Sequence, residues 1–232
     1  MSVPQRAVSA DSFWRIFVSG TCVVVDYGLG NVFSVMQALR DFPVECTLTS
    51  DPAAIAAADR LILPGVGAFG RAASRLRDLG FDQAILEFIA TERPFLGICV
   101  GMQLLHDIGN EFGEHRGLGV IGGSVDAIRS PDAVADGLRV PLIGWHPLVP
   151  PDGDYDRWTG TPLAGLAHDA AFYFVHSFAA QPRDPSAVLA LTRHGERTLT
   201  AAVHSGNVIG TQFHPERSAH AGRAFLRSFL DV

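Results

Sequence analysis

The sequence places one nucleophile in a setting suited to reactivity: Cys99, with Gly97 and Gly101 two residues to either side. Pro94-Phe95-Leu96 before it reads as a buried strand, and Met102-Gln103-Leu104-Leu105-His106 after it reads as the opening of a helix. A residue on a sharp strand-to-helix turn is held in a strained, exposed pose, and flanking glycines relieve the crowding around it. A helix N-terminus behind the thiol favours the thiolate, the form that attacks. Such a nucleophile needs a base, and the base needs an orienting group. His214-Pro215-Glu216 holds both types side by side, with a proline that keeps the backbone between them extended. Attack on a carbonyl also creates an oxyanion, which needs backbone donors. Pro64-Gly65-Val66-Gly67 is a glycine-rich turn that can supply them. Singly, these pieces also fit a buried structural thiol and an ordinary tight turn.

The elements that must position these residues are legible in the apolar patterning. Cys22-Val23-Val24-Val25 is a short buried strand ending at the loop Asp26-Tyr27-Gly28-Leu29-Gly30-Asn31. Helical spacing follows over Ser34 to Leu39, a weakly alternating strand over Glu45 to Leu48, and a short helix opened by Asp51-Pro52. Arg60-Leu61-Ile62-Leu63 is a second buried strand, closed by the glycine-rich turn. Two helical stretches, near Gly70–Leu79 and Asp82–Thr91, lead to the strand before Cys99.

Short apolar strands separated by helices predict a parallel sheet covered on both faces, with reactive loops at the carboxyl ends of its strands. The second half changes character. Gly119 to Ile128, Arg139 to Val149, Phe172 to Phe178, Ala187 to Leu191, Leu199 to His204 and Val208 to Phe213 read as strands. Turn residues such as His194-Gly195 and Ser205-Gly206-Asn207 predict antiparallel pairing there, and Ala219 to Leu230 a closing amphipathic helix. The expected fold class is α/β: a mostly parallel central sheet flanked by helices, with an antiparallel extension in the C-terminal half. Residues 21–232 are expected to form one domain, and residues 1–20 a poorly ordered N-terminal extension.

Composition narrows the function classes. The chain has 232 residues, is 47% apolar and carries a formal net charge of −6. A large core is available and disorder is disfavoured. The 18 basic residues are all arginines, scattered rather than clustered, so nothing points to nucleic acid. Without a lysine, Schiff-base chemistry is excluded. Three cysteines, Cys22, Cys46 and Cys99, form no Cys-x-x-Cys pair, which argues against a disulfide framework and a structural zinc site and for a reducing cytoplasm. No apolar run reaches the length of a membrane span.

Six motifs stand out: Asp26-Tyr27-Gly28-Leu29-Gly30-Asn31, the stretch from Leu63 to Gly70, Gly97-Ile98-Cys99-Val100-Gly101-Met102-Gln103, Gly144-Trp145, the stretch from Tyr173 to Phe178, and Gln212-Phe213-His214-Pro215-Glu216-Arg217-Ser218. Together they resemble the triad-type, class I glutamine amidotransferases, and most closely the glutaminase subunits of imidazole glycerol phosphate synthases. They occur in colinear order over about residues 22 to 231. The resemblance implies a flavodoxin-like fold in which Cys99 is the nucleophile, His214 the acid and base, and Glu216 the residue that orients His214. It implies Gly65, Val66 and Gly67 as the oxyanion loop, and Gln103, Glu111, His176, Ser177 and Phe178 as contacts for L-glutamine. No metal and no organic cofactor is implied.

The implied partner is a separate (β/α)8-barrel cyclase that receives ammonia and makes imidazole glycerol phosphate and AICAR in histidine biosynthesis. Asn31, Tyr173 and Arg217 match positions near that interface, although Tyr173 also fits a strand residue packed inside. The chain departs from the family at His146, where Asn commonly follows Gly-Trp, and at Arg217, where lysine is common. Val100 stands in place of leucine and Phe178 in place of tyrosine. The resemblance further implies that the glutaminase is switched on by its partner when the cyclase's nucleotide substrate is present, and a glycine-flanked oxyanion loop is a bistable element able to flip its peptide between two states. A paralogous glutaminase supplying ammonia for surface-sugar precursors is the alternative that this reading leaves open.

Overall fold

A computed structural model describes residues 20–128 and 139–231. The expected extension over residues 1–20 falls almost wholly outside the described residues. The chain runs β1 (Thr21–Val25), α1 (Val32–Leu39), β2 (Glu45–Thr49), β3 (Arg60–Gly65), α2 (Phe69–Asp78), α3 (Phe81–Ile89), β4 (Phe95–Cys99) and the single turn α4 (Val100–Gln103). It continues through β5 (His106–Gly109), β6 (His115–Arg116), β7 (Ile121–Ala127), β8 (Leu142–Pro147), β9 (Ala171–His176), β10 (Phe178–Pro182), β11 (Val188–His194), β12 (Arg197–Ser205), β13 (Val208–Thr211) and α5 (Ala219–Asp231).

The central sheet has seven strands in the order β11-β12-β13-β4-β3-β1-β2. The five strands from β13 to β2 are parallel, and β12 and β11 extend the sheet antiparallel. Every residue of β3 and β4 is buried, as continuous apolar runs between two helical layers require, whereas the edge strand β2 is largely exposed. α2 buries Phe69, Ala72, Ala73 and Leu76, the one-sided spacing of a helix lying on a sheet. α5 buries Phe225, Leu226, Phe229 and Leu230 in the same way. Its Gly222 lies so close to the Pro215 carbonyl that an added Cβ would sit 1.9 Å from that oxygen, so α5 backs directly onto the segment carrying His214 and Glu216.

Two expectations are corrected. The helix after Cys99 is one turn long, and Leu104 and Leu105 lead instead into β5, a strand of a second sheet ordered β10-β7-β5-β6. Its residues read as helix because a short apolar run carries no period of its own. A single turn also has little macrodipole, so help for a thiolate at Cys99 must come from neighbouring side chains. The run Phe172 to Phe178 is two strands, broken at Ser177: β9 pairs with β8, and β10 with β7 of the second sheet. Alternating apolar residues continue through Ser177, but the chain changes sheets there.

Candidate active site

Cys99 ends β4 at the carboxyl edge of the sheet, in register with Gly65 at the end of the neighbouring β3. Its φ of +55° is a left-handed conformation that side chains other than glycine adopt at a cost, and the tight turn after it depends on Gly101. A Cβ on Gly101 would sit 1.9 Å from the Leu63 carbonyl oxygen. The thiol is buried, and its Sγ accepts a hydrogen bond from Gln212 Nε2 at 3.6 Å.

β13 lies on the other side of β4, with Thr211 in register with Ile98, so the chain leaving β13 passes beside Cys99. His214 is clamped there by its backbone. Its N–H donates to the Tyr173 carbonyl at 2.9 Å, and its carbonyl accepts from Ser218 Oγ at 2.6 Å. The imidazole Nδ1 meets Glu216 Oε1 at 2.8 Å, with both side chains almost fully buried. Burial alone would lower the pKa of His214, but hydrogen bonding with Cys99 and Glu216, and the negative charge both can carry, push it up to about 10. Nε2 closes no well-aligned hydrogen bond in this structure. The contact with the sulfur is therefore loose, as catalytic contacts often are before substrate binds.

The turn Gly65-Val66-Gly67 reaches the same place, but its N–H groups are not all aimed inward. The Val66 N–H donates to the Leu29 carbonyl of the β1–α1 loop at 3.4 Å. Gly67 has φ +91° and open space around it. Behind the turn, the Tyr27 hydroxyl is buried without a hydrogen-bond partner, and it is raised above its ordinary pKa by burial and by the nearby Cys99.

These residues open onto a cavity of about 460 Å³ lined by Val66, Gly67, Cys99, Gln103, Glu111, His176, Ser177, Phe178 and His214, among others. Gln103 is buried, and its Nε2 donates to both the Phe178 carbonyl at 3.2 Å and Gln212 Oε1 at 3.0 Å. That leaves its Oε1 as the end free to meet a ligand. Glu111 accepts the Phe69 N–H at 2.8 Å, anchoring the first turn of α2 to the cavity wall. His176 Nδ1 meets the Phe178 carbonyl at 2.8 Å. Burial lowers its pKa to about 4, so it is neutral, Nδ1 donates, and the buried Nε2 is left as an acceptor. The carbonyl of Ser177 accepts the Ile128 N–H, which ties the break between β9 and β10 to β7.

Asn31, Tyr173 and Arg217 lie outside the cavity lining. Asn31 starts α1, its carbonyl accepting the Val35 N–H. Arg217 lies over the Tyr173 ring at 4.8 Å, and Trp145 meets the same ring edge-on at 6.1 Å. Trp145 and Ile143, two apart on one face of β8, are more than half exposed. His146 points to the other face and packs edge-on against Phe174 at 6.0 Å. Two polar residues at the site had no individual reading from sequence, Tyr27 and Gln212. The signal for Gln212 was a glutamine closing the apolar run from Val208, where a buried amide must find partners.

A glycine-lined elbow cysteine, an imidazole and a carboxylate thus share one cavity at the carboxyl edge of a parallel sheet. Residues 23–232 match the family model for the class-I glutamine amidotransferases. The chain belongs to this family. The amidotransferase is 46% identical to the imidazole glycerol phosphate synthase subunit HisH of Symbiobacterium thermophilum, over 89% of this chain and 92% of that protein. It is 44% identical to the HisH subunit of Rhodopirellula baltica, over 89% and 95% of the two chains. It is 40% identical to HisH 1 of Legionella pneumophila strain Lens, over 90% and 98%. Among solved structures, a glutamine amidotransferase superposes with a TM-score of 0.64 at 22% identity, covering 90% of this chain and 96% of the other. PurLQS from Thermotoga maritima superposes with a TM-score of 0.66 at 19% identity, over 91% and 97%. At those identities the structures speak for the fold alone. No helix among the described residues is long and apolar enough to cross a membrane.

Proposed function

We propose that the chain is the glutaminase subunit of an imidazole glycerol phosphate synthase. It hydrolyses L-glutamine to glutamate and ammonia, and passes the ammonia to a (β/α)8-barrel cyclase of histidine biosynthesis. The observation that carries this reading is the His214–Glu216 pair at 2.8 Å beside a strained Cys99, in a chain 40–46% identical to HisH subunits.

The Cys99 sulfur attacks the side-chain amide carbon of glutamine, and the carbonyl electron pair moves to oxygen. The Val100 N–H, next in the elbow, and the Gly65–Gly67 turn supply the donors for that oxyanion. Protonated His214 donates from Nε2 to the amide nitrogen, the C–N bond breaks, and ammonia leaves. Water then adds to the thioester while His214 takes its proton. The C–S bond breaks with its electron pair returning to sulfur, and glutamate is released. Glu216 holds His214 in one orientation throughout and stabilises its cationic form. Gln103 Oε1 and His176 Nε2, both acceptors, suit the N–H groups of glutamine.

Hydrolysis without a consumer for ammonia wastes glutamine, so the site is read as gated. In this structure the Val66 N–H is held by the Leu29 carbonyl rather than offered to the cavity. The gate is the rotation of that peptide, driven by docking of the cyclase on the surface that carries Trp145, Tyr173 and Arg217. Complementation of a histidine auxotroph lacking its own glutaminase subunit tests the assignment. Restored growth that is lost with Cys99→Ser supports it, and no growth from a well-expressed chain overturns it.

A further inference from the structure

Gln212 is fully buried and sits two residues before His214. Three hydrogen bonds run through it to the sulfur. Gln103 Nε2 donates to the Phe178 carbonyl at 3.2 Å and to Gln212 Oε1 at 3.0 Å, and Gln212 Nε2 donates to Cys99 Sγ at 3.6 Å. One fixed acceptor sets the whole chain. A carbonyl can only accept, so Gln103 must turn its NH2 toward Phe178. The second hydrogen of that NH2 points at the Gln212 oxygen. Gln212 then has only its own NH2 left to face the sulfur.

We infer that Gln212 is a further catalytic residue, whose amide N–H holds the Cys99 sulfur and favours its anionic form. Gln103 and the Phe178 carbonyl act through it as positioning groups. The inference rests on Cys99 being the nucleophile and deepens that reading. A donor on sulfur matters at two points. It stabilises the thiolate before attack, and it stabilises the same anion when the C–S bond of the thioester breaks and the electron pair returns to sulfur. Between those points the sulfur carries no charge and the contact weakens. Hydrogen bonds to charged groups are the stronger ones, so the benefit falls where the anion exists. The donor also takes over the role that the single turn of α4 is too short to fill.

The other titratable groups around Cys99 are His214 and Glu216 after β13, Tyr27 after β1, His176 at the end of β9 and Glu111 after β5. All of them are retained in both Gln212 variants. The test is alkylation of Cys99 by iodoacetamide in the full chain, followed peptide by peptide across pH so that Cys22 and Cys46 are separated. Gln212→Met keeps the volume and removes the donor. It is expected to alkylate about tenfold more slowly at neutral pH, with the midpoint of its pH profile about one unit higher. Gln212→Glu keeps the acceptor for Gln103 but turns a carboxylate to the sulfur. It is expected to be slower still, with a rate relative to the parent that climbs as pH falls and the carboxyl regains a proton to donate. A side chain at position 212 that does not face the sulfur gives no such climb, and the slower alkylation of Gln212→Met then separates a lost donor from charge repulsion.

Rates and midpoints equal to the parent in both variants overturn the inference. If Gln212→Met melts far below the parent, the Gln212→Glu ratio decides alone, and a ratio flat with pH overturns it. A parent Cys99 inert to the reagent at every pH overturns the nucleophile reading, and this inference with it.

Discussion

The two walls of the cavity differ in how finished they are. On the β4–β13 side, Cys99, Gln212 and Gln103 form one hydrogen-bonded chain and His214 and Glu216 a pair beside it: the backbone of His214 is clamped from two directions, and the amides are oriented by a carbonyl. On the β3 side, the turn over Gly65–Gly67 spends its Val66 N–H on the neighbouring loop, and Gly67 has empty space around it. One wall holds the proposed nucleophile in place, while the other keeps its Val66 N–H turned away from the cavity. Two burial regimes separate the walls. The first is backed by α5 through Gly222, where nothing larger than hydrogen fits. The second faces the mouth of the cavity, where Val66 is partly exposed.

The largest expected effect breaks the assembled wall at its centre. Cys99→Ser is expected to lower glutamine hydrolysis by several orders of magnitude with little change in melting temperature, measured as glutamate released in the presence of the cyclase. Glu216→Gln is expected to cost about 10²–10⁴-fold in kcat with a smaller change in KM, because His214 loses the charge that holds and orients it. Steady-state kinetics in the same assay checks this, and a change confined to KM contradicts it.

Stability tests sharpen the contrast. Gly101→Ala drives a methyl into the Leu63 carbonyl and is expected to destabilise the chain by about 3 kcal/mol or more in denaturant unfolding. Two of the buried histidines, His176 and His214, provide a pH contrast within one cavity. The depressed pKa of His176 gives a contribution fully present above pH 6.5 and lost as pH falls through about 4, worth up to about 3 kcal/mol. The raised pKa of His214 runs the other way: its contribution is fully present below pH 6.5 and lost as pH rises through about 10. Melting curves of the parent and of His176→Gln across pH 4–7 are expected to converge at the acid end. The smallest effect is expected for Gly67→Ala, which meets no atom and strains only its positive φ. It is expected to cost about 1 kcal/mol in the same unfolding assay while altering the ratio of activated to basal hydrolysis. A loss as large as that of Gly101→Ala contradicts the distinction between the walls.

The sequence made the centre of the parallel half legible because β1, β3 and β4 are buried runs followed by glycine or by a chemistry-bearing residue. β1 ends as expected, while β3 and β4 run on past Leu63 and Leu96 to Gly65 and Cys99, and their loops converge where the topology of parallel strands demands. His214 reached Cys99 only through the strand order β13-β4-β3, which no local pattern announces. The turn α4 and strands β5 and β6 escaped because four apolar residues fit either period, and His115–Arg116 is too short to show one. Glu111 was readable as an acid but not as the group that holds the Phe69 N–H, since that contact joins the loop after β5 to the first turn of α2. Gln212 lay inside one of the six motifs, yet its partners, Gln103 of α4 and Cys99 at the end of β4, reach it only because β13 pairs beside β4.

The proposed nucleophile is ready before its oxyanion donors are. Two rates measured on the same sample test this most directly: iodoacetamide alkylation of Cys99 and glutamate release from glutamine. Each is taken for the chain alone, with the cyclase, and with the cyclase and its ligand. Alkylation needs the sulfur but no oxyanion donor. It is predicted to change by less than a few-fold across the three conditions while glutamate release rises by about 10²-fold or more. Equal glutamate release in all three, or alkylation that rises in step with it, contradicts the account.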